Sequence, residues 1–234
     1  MKAIETGKTM IKNLLVIGGG GFGREIVWLI NRINTLASEP EWNLIGIIDD
    51  NPDLKDTVIN NVPVIGNVDS LLSYETDIHV ICTIGNSVIR ESVINRCKLN
   101  KHIIFATLID PAAIVGDSVK IGEGCIVCAN TVITVDVTID SFSIVNLACT
   151  IGHDAHMHSF TTLYPTVNVS GFVQIGSNAE VGTGSQIIQG VSIGAGSIIG
   201  AGSVVVRDIP AHCTAVGVPA KPIKYHSDQS KKEG

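Results

Sequence analysis

The densest group of side chains able to hold or move a proton lies in one short stretch: Asn146, His153, Asp154, His156 and His158. Histidine exchanges a proton near neutral pH, and an adjacent carboxylate can orient the ring and stabilise its charged form. His153 followed at once by Asp154 is therefore a candidate general base with its orienting acid. A second group could bind phosphate. Gly18, Gly20 and Gly23 follow an apolar strand-like segment, Asn13 to Ile17, and precede a helix-like stretch from Arg24 to Leu36. Such a G-x-G-x-x-G loop lets backbone N–H groups approach a phosphate closely, and the start of the next helix favours its negative charge. Asp49 and Asp50 end a second apolar segment, Leu44 to Ile48; they cannot attract phosphate but suit a base or ribose by accepting hydrogen bonds. Cys125 and Cys128 form a C-x-x-C without a second pair at metal spacing, so both are expected to pack rather than to bind zinc.

The elements that must position these groups follow two grammars. From Val115 to Val205 every sixth residue is aliphatic or Met, and the residue two before each is mostly small. A helical face returns every 3.6 residues and drifts off this rhythm, whereas short strands joined by tight corners keep it. Three hexads make one triangular coil, so residues 107–225 are expected to stack coils roughly 4.8 Å apart into a prism of about five coils. Asp208-Ile209-Pro210 ends the register, and residues 226–234 are polar and expected to fray. Residues 12–106 alternate strand and helix instead. A strand from Ile78 to Ile84, the turn Gly85-Asn86-Ser87 and a helical pattern from Val88 to Leu99 complete a parallel α/β sheet of Rossmann type. The stretch has room for one mononucleotide-binding half, too little for a dehydrogenase; a nucleotide is expected there, and NAD is not.

Composition narrows the partners. At 45% hydrophobic and 16% charged residues the 234-residue chain can bury a large core. Its net charge of -6 and lack of a basic stripe exclude nucleic acid as an expected ligand. The first ten residues lack the apolar core of a secretory signal, and no apolar run approaches the roughly 18 residues that span a bilayer. A cytoplasmic protein with no membrane insertion is expected.

The hexad run from Ala113 to about Asp208 resembles the hexapeptide-repeat acyltransferases. That resemblance implies an all-β left-handed parallel β-helix, a homotrimer with active sites between adjacent subunits, and acetyl-CoA as co-substrate. The segment Val216 to Pro222 looks like the family's G-x-P-A-K tail, near the coenzyme's adenine end. With the glycine loop, the Asp49-Asp50 pair and an I-G-N-x-x-x-R stretch from Ile84 to Arg90, residues 12–221 resemble the sialic acid O-acetyltransferase family, which includes bacterial nucleotide-4-amino-sugar N-acetyltransferases of glycan biosynthesis.

The resemblance implies His153 as the catalytic base, Asp154 where many members have glutamate, and Asn146 in support. It implies a Gly171 N–H facing the acetyl thioester, and Thr162, Gly200, Ala201, Val218, Pro219, Ala220 and Lys221 along the coenzyme. The nucleotide-linked sugar would meet Gly18, Gly20, Phe22, Gly23, Asp49, Asp50 and Asn86. Phe22 and Thr162 stand where some relatives carry histidine. N-acetylation of an amino sugar is the leading expectation, O-acetylation of sialic acid or another sugar hydroxyl its rival, and a trimeric nucleotide-sugar-binding scaffold the non-enzymatic alternative. As zinc ligands His153, His156 and His158 would suggest a carbonic-anhydrase-like β-helix, but such ligands come from separated coils and subunits. No metal is expected, and His156 and His158 are expected as solvent-facing corner residues.

Overall fold

The computed structural model describes residues 11–226. β1 (Lys12–Ile17) leads into α1 (Gly21–Leu36), followed by β2 (Trp42–Ile48), β3 (Val58–Ile59), β4 (Val62–Gly66), β5 (Ile78–Cys82), α2 (Ser87–Cys97) and β6 (Ile103–Phe105). The strands stand in the order β3-β4-β2-β1-β5-β6, all neighbours parallel except the β3–β4 hairpin. The winding reverses between β1 and β5, the switch point at which open α/β sheets bind ligands. The sheet is larger than the single mononucleotide-binding half expected from the sequence. Three strands are additional, β3, β4 and β6; of these β4 carries Pro63 near its start, a residue that argues against a sheet interior, and enters through a two-residue turn in which Asn60 and Asn61 take φ of 47° and 65°. α1 also starts earlier than expected, so Gly23 falls in its first turn, where any Cβ would collide with the Gly18 carbonyl oxygen.

From Leu108–Ile109 to Val204–Val205 the chain lays down two-residue strands that pair in parallel, coil on coil, in three sheets. The inward residues of the hexads, among them Val127, Ile133, Ile139, Val145 and Met157, form the interior of this three-sided prism. Its corners repeat as strictly as its strands. Asn130, Asp136, Phe142, Ala148, Asp154, Phe160, Thr166, Phe172 and Asn178 all have φ between 55° and 64°. A residue with a Cβ sustains that conformation at a cost of about 1–2 kcal/mol. The coil below offsets it: the Phe142, Asp154 and Phe172 N–H groups donate to Glu123, Val135 and His153 carbonyls at 2.8, 3.2 and 2.9 Å.

The two parts share a core across the first face of the prism, the one built on Leu108, Ile126, Ile144, Thr162, Glu180 and Ile198. Leu108, Ile126 and Ile144 pack with Val16, Ile26 and Ile30, while Phe142 and Phe160 pack with Val93 and Ile94 of α2. Arg32 of α1 grips the buried Asp110 carboxylate with two hydrogen bonds, 2.8 and 3.1 Å. The chain passes from one sheet system to the other between Phe105 and Leu108. After the last coil, Cys213–Gly217 and Ala220–Tyr225 form an antiparallel hairpin on the first face. Apart from His226, the tail expected to fray lies outside the described residues. Among the described residues no helix is long and apolar enough to cross a membrane.

All six cysteines are buried. Cys125 points into the prism, whereas Cys128, half a hexad later, faces the shared core with α1, so the two thiols of the C-x-x-C point apart and cannot chelate one ion. Burial pushes the thiols up, to about 11 for Cys82, Cys125 and Cys149 and about 12 for Cys97 and Cys128. These five therefore carry little thiolate at neutral pH. Iodoacetamide is expected to leave the native protein unmodified at pH 7.5 and to label all six thiols in guanidinium, as mass spectrometry would read. Rapid native labelling of Cys125 or Cys128 would contradict this packing.

Candidate active site

His153 occupies the corner between the second and third faces, after the strand Thr150–Ile151 and before His156–Met157. Asp154 is the left-handed corner residue, and that backbone turn brings its carboxylate onto the ring of its neighbour: Nδ1 to Oδ2 is 2.9 Å. A carboxylate accepts, so Nδ1 carries the proton and the Nε2 lone pair is free to act as a base. The next coil places Gly171 over the ring. A Cβ at Gly171 would stand 2.6 Å from Nε2, so glycine keeps this side of the imidazole clear. The Gly171 N–H makes no hydrogen bond among the described residues. Gly152, which carries no motif signal of its own, keeps that N–H open, since a Cβ there would stand 2.7 Å from the Gly171 nitrogen. Phe172 closes one side edge-on, its ring centroid 5.0 Å from that of His153.

Asn146 does not join them within one chain. It sits at the preceding corner, between the first and second faces, with its side-chain oxygen accepting the Leu147 N–H at 2.7 Å. Gly200 and Ala201 lie on that same edge, and so does the turn of the terminal hairpin: a Cβ at Gly200 would meet Val216. Val218 in the turn is exposed, and Lys221 pairs with Val216. The residues assigned to catalysis and coenzyme thus divide between two edges of the prism, His153 and Gly171 on one, Asn146, Gly200, Ala201 and the Val218–Lys221 turn on the other.

Thr162 belongs to neither edge. It is 1% exposed, donates to the Gly85 carbonyl at 3.0 Å and accepts from Arg90 Nη2 at 2.9 Å. That burial between the domains corrects the expected coenzyme contact, because no ligand atom can reach the hydroxyl. Arg90, the last residue of the I-G-N-x-x-x-R stretch, emerges as the centre of the junction. It is 1% exposed and donates to the carbonyls of Ile84, Gly85, Phe142 and Phe160 at 2.7, 2.9, 2.9 and 2.6 Å. Beside it Glu180 accepts the Ser87 N–H, the Ser87 hydroxyl and the Tyr164 hydroxyl at 2.8, 2.9 and 3.0 Å. Burial, with the Glu180 charge, pushes Tyr164 up to about 12.

A cavity of about 430 Å³ opens at the carboxyl ends of β1 and β5, lined by Gly18, Gly20, Phe22, Gly23, Asp49, Asp50, Thr83 and Gly85 among others. Gly20 caps α1 without a side-chain hydrogen bond, leaving the first-turn N–H groups of the helix for an anion. Asp49 accepts the Gly19 and Asn51 N–H groups at 2.6 and 2.8 Å, which shapes the loop. Asp50 accepts from Val68 N–H and Arg96; burial opposes ionisation, but these contacts outweigh it and hold the carboxyl below its usual range. Asn86 does not line the cavity: its side chain caps α2 by accepting the Ile89 N–H at 2.9 Å. His156 and His158 turn away from His153 and meet Asp140 instead.

The family model of the PglD N-terminal domain matches residues 13–97, and that of the bacterial transferase hexapeptide, six repeats, matches residues 172–207. Among curated proteins the bifunctional protein GlmU of Wigglesworthia glossinidia brevipalpis is 42% identical over 69 residues, and the match spans only 15% of that protein's length. Solved structures cover far more. The acetyltransferase domain of PglB from Neisseria gonorrhoeae FA1090 is 32% identical with a TM-score of 0.82, the match covering 91% of this chain and 100% of that one. PerB from Caulobacter crescentus, solved with CoA and GDP-perosamine, is 30% identical with a TM-score of 0.80 over 93% of this chain and 100% of that one. WeeI from Acinetobacter baumannii AYE is 29% identical with a TM-score of 0.81 over 91% and 100%. With a Rossmann-like domain carrying the glycine-loop cavity and a left-handed parallel β-helix carrying the His153–Asp154 dyad, the chain belongs to the nucleotide-amino-sugar acetyltransferase family of hexapeptide-repeat proteins.

Proposed function

We propose that this protein transfers the acetyl group of acetyl-CoA to the amine of a nucleotide-linked 4-amino sugar, acting as a homotrimer. The observation that carries this reading is the His153–Asp154 dyad beside an unpartnered Gly171 N–H in a space that two glycines keep clear. When bound, the coenzyme's thioester supplies an acyl carbon already activated for attack. His153 Nε2 accepts the proton of the amine as the N–C bond forms and returns it to the sulfur as the C–S bond breaks. Asp154 holds the ring in the tautomer this requires and stabilises its charged state. The Gly171 N–H donates to the carbonyl oxygen as negative charge develops there; one such donor is typically worth about 3–4 kcal/mol. A cysteine or serine nucleophile has no part in the reaction.

The nucleotide binds in the cavity between the glycine loop and Asp49-Asp50, its phosphates at the start of α1. PerB was solved with GDP-perosamine, an amino sugar on a nucleotide, which supports the same acceptor class here. The two-edge division supports the trimer, in which Asn146, Gly200, Ala201 and the terminal turn of one copy would complete the His153 edge of its neighbour. A thiol-release assay with acetyl-CoA and GDP-, UDP- and dTDP-linked 4-amino sugars, beside free sialic acid, tests the reading. Turnover with at least one nucleotide amino sugar and none with sialic acid is expected. Release with sialic acid alone, or with no acceptor, would refute it.

A further inference from the structure

We propose that Asp140, His156 and His158 form a binding site for a first-row divalent metal ion of the zinc or nickel type, separate from the catalytic dyad. His158 stacks one coil above Asp140, and His156 projects from the strand His156–Met157 that leads into the same corner. His156 Nε2 lies 3.0 Å from Asp140 Oδ2, and His158 Nδ1 lies 3.3 Å from the same oxygen. All three donor atoms fall within 4.8 Å of one another, and the two imidazoles lie 4.0 Å apart, centroid to centroid. Ligands on a tetrahedral ion at about 2.1 Å stand roughly 3.4 Å apart, so this triangle needs only small side-chain rotations to close on a metal.

The chemistry of the set agrees with its geometry. Two imidazoles and one carboxylate suit zinc, nickel, cobalt or copper rather than magnesium or calcium, which take oxygen ligands. All three side chains are part-exposed, between 31% and 41%, so an ion can enter from solvent and keep water in its remaining position. Each sits on a rigid coil, so the ligands are organised before the ion arrives. A simple ion pair needs one ring per carboxylate, as His102 has with Asp77; two ring nitrogens converging on one oxygen is what a shared ion would organise. The ion would tie one coil to the next, and it has no step in acetyl transfer.

Full-length protein stripped with chelator is titrated with ZnCl₂ by calorimetry and with CoCl₂ by visible absorption. One ion per chain and a cobalt ligand-field band are expected. His156→Ala and His158→Ala should each weaken binding at least roughly tenfold, because each removes one of three coordinate bonds. His102→Ala should leave binding unchanged, and circular dichroism verifies that each variant is folded. Independently of any variant, zinc should protect His156 and His158 of the wild-type protein from diethylpyrocarbonate, read by peptide mass spectrometry. Equal zinc binding by wild type and the His156→Ala/His158→Ala double variant, or no protection at these two residues, would overturn the proposal.

Discussion

Replacing His153 by alanine is expected to lower kcat by about 10²–10⁴-fold while the apparent affinity for acetyl-CoA stays close to that of the parent. The loss equals about 3–5 kcal/mol of transition-state stabilisation. The asymmetry between kcat and affinity follows from geometry. His153 offers a lone pair to a proton that moves only in the chemical step, and its other nitrogen is engaged by Asp154, so removing the ring withdraws nothing the ground state uses. Asp154→Ala should lose less activity, because the base survives without its orienting partner. Steady-state thiol release with the amino-sugar acceptor measures both variants. A His153→Ala enzyme that turns over at the parental rate would assign the proton to another group.

Arg90→Ala is expected to cost about 3–5 kcal/mol of folding stability, the range for removing one member of a buried charged network. For a chain of this length that corresponds to a fall in Tm of roughly 10 °C by differential scanning calorimetry. The guanidinium satisfies four buried carbonyls from both domains together with the Thr162 hydroxyl. Burial pulls its pKa down, yet the group stays charged near the Glu180 carboxylate. Alanine would strand these acceptors without water and leave Glu180 with no cation beside it. Lysine should not rescue, since a single ammonium with three donors cannot span a set of acceptors that a planar fork reaches. Because Gly85 belongs both to the nucleotide cavity and to this network, the variant should also raise KM for the nucleotide sugar. An unchanged Tm would mean that the domains are held together without Arg90, by their apolar contact and the Arg32–Asp110 and Ser87–Glu180 contacts.

The parts of the molecule that repeat were legible. An inward aliphatic every six residues is a local steric demand made again at each coil, so the residues from Val115 to Val205 specify the prism without reference to anything distant. The glycine loop was legible for the same reason: strand, turn and helix start are contiguous, and Gly23 must lack a side chain whatever surrounds it. So was the His153–Asp154 pair, whose partners are neighbours in the chain. Short or atypical elements were not. β4 was hidden because Pro63 weakens a two-fold pattern only a few residues long.

Other features depend on which face of the prism the first domain covers, and no local pattern encodes that choice. Thr162, expected along the coenzyme, and Glu180 sit on outward strand positions, yet docking of α2 buries both beside Arg90. Ser87 and Glu180 are 93 residues apart and Arg90 and Thr162 are 72, separations across which a sequence carries no signal of contact. The separation of Asn146 from His153 and the meeting of Asp140 with His158 arise because side chains stack by coil rather than by chain order. The sequence by itself determined the two folds, the glycine loop and the His153–Asp154 pair, through short-range sterics, hydrophobic periodicity and adjacency in the chain. Only the tertiary structure decided which polar groups are sealed, which share an edge and which converge on one point, since desolvation and docking act between segments that the chain keeps far apart.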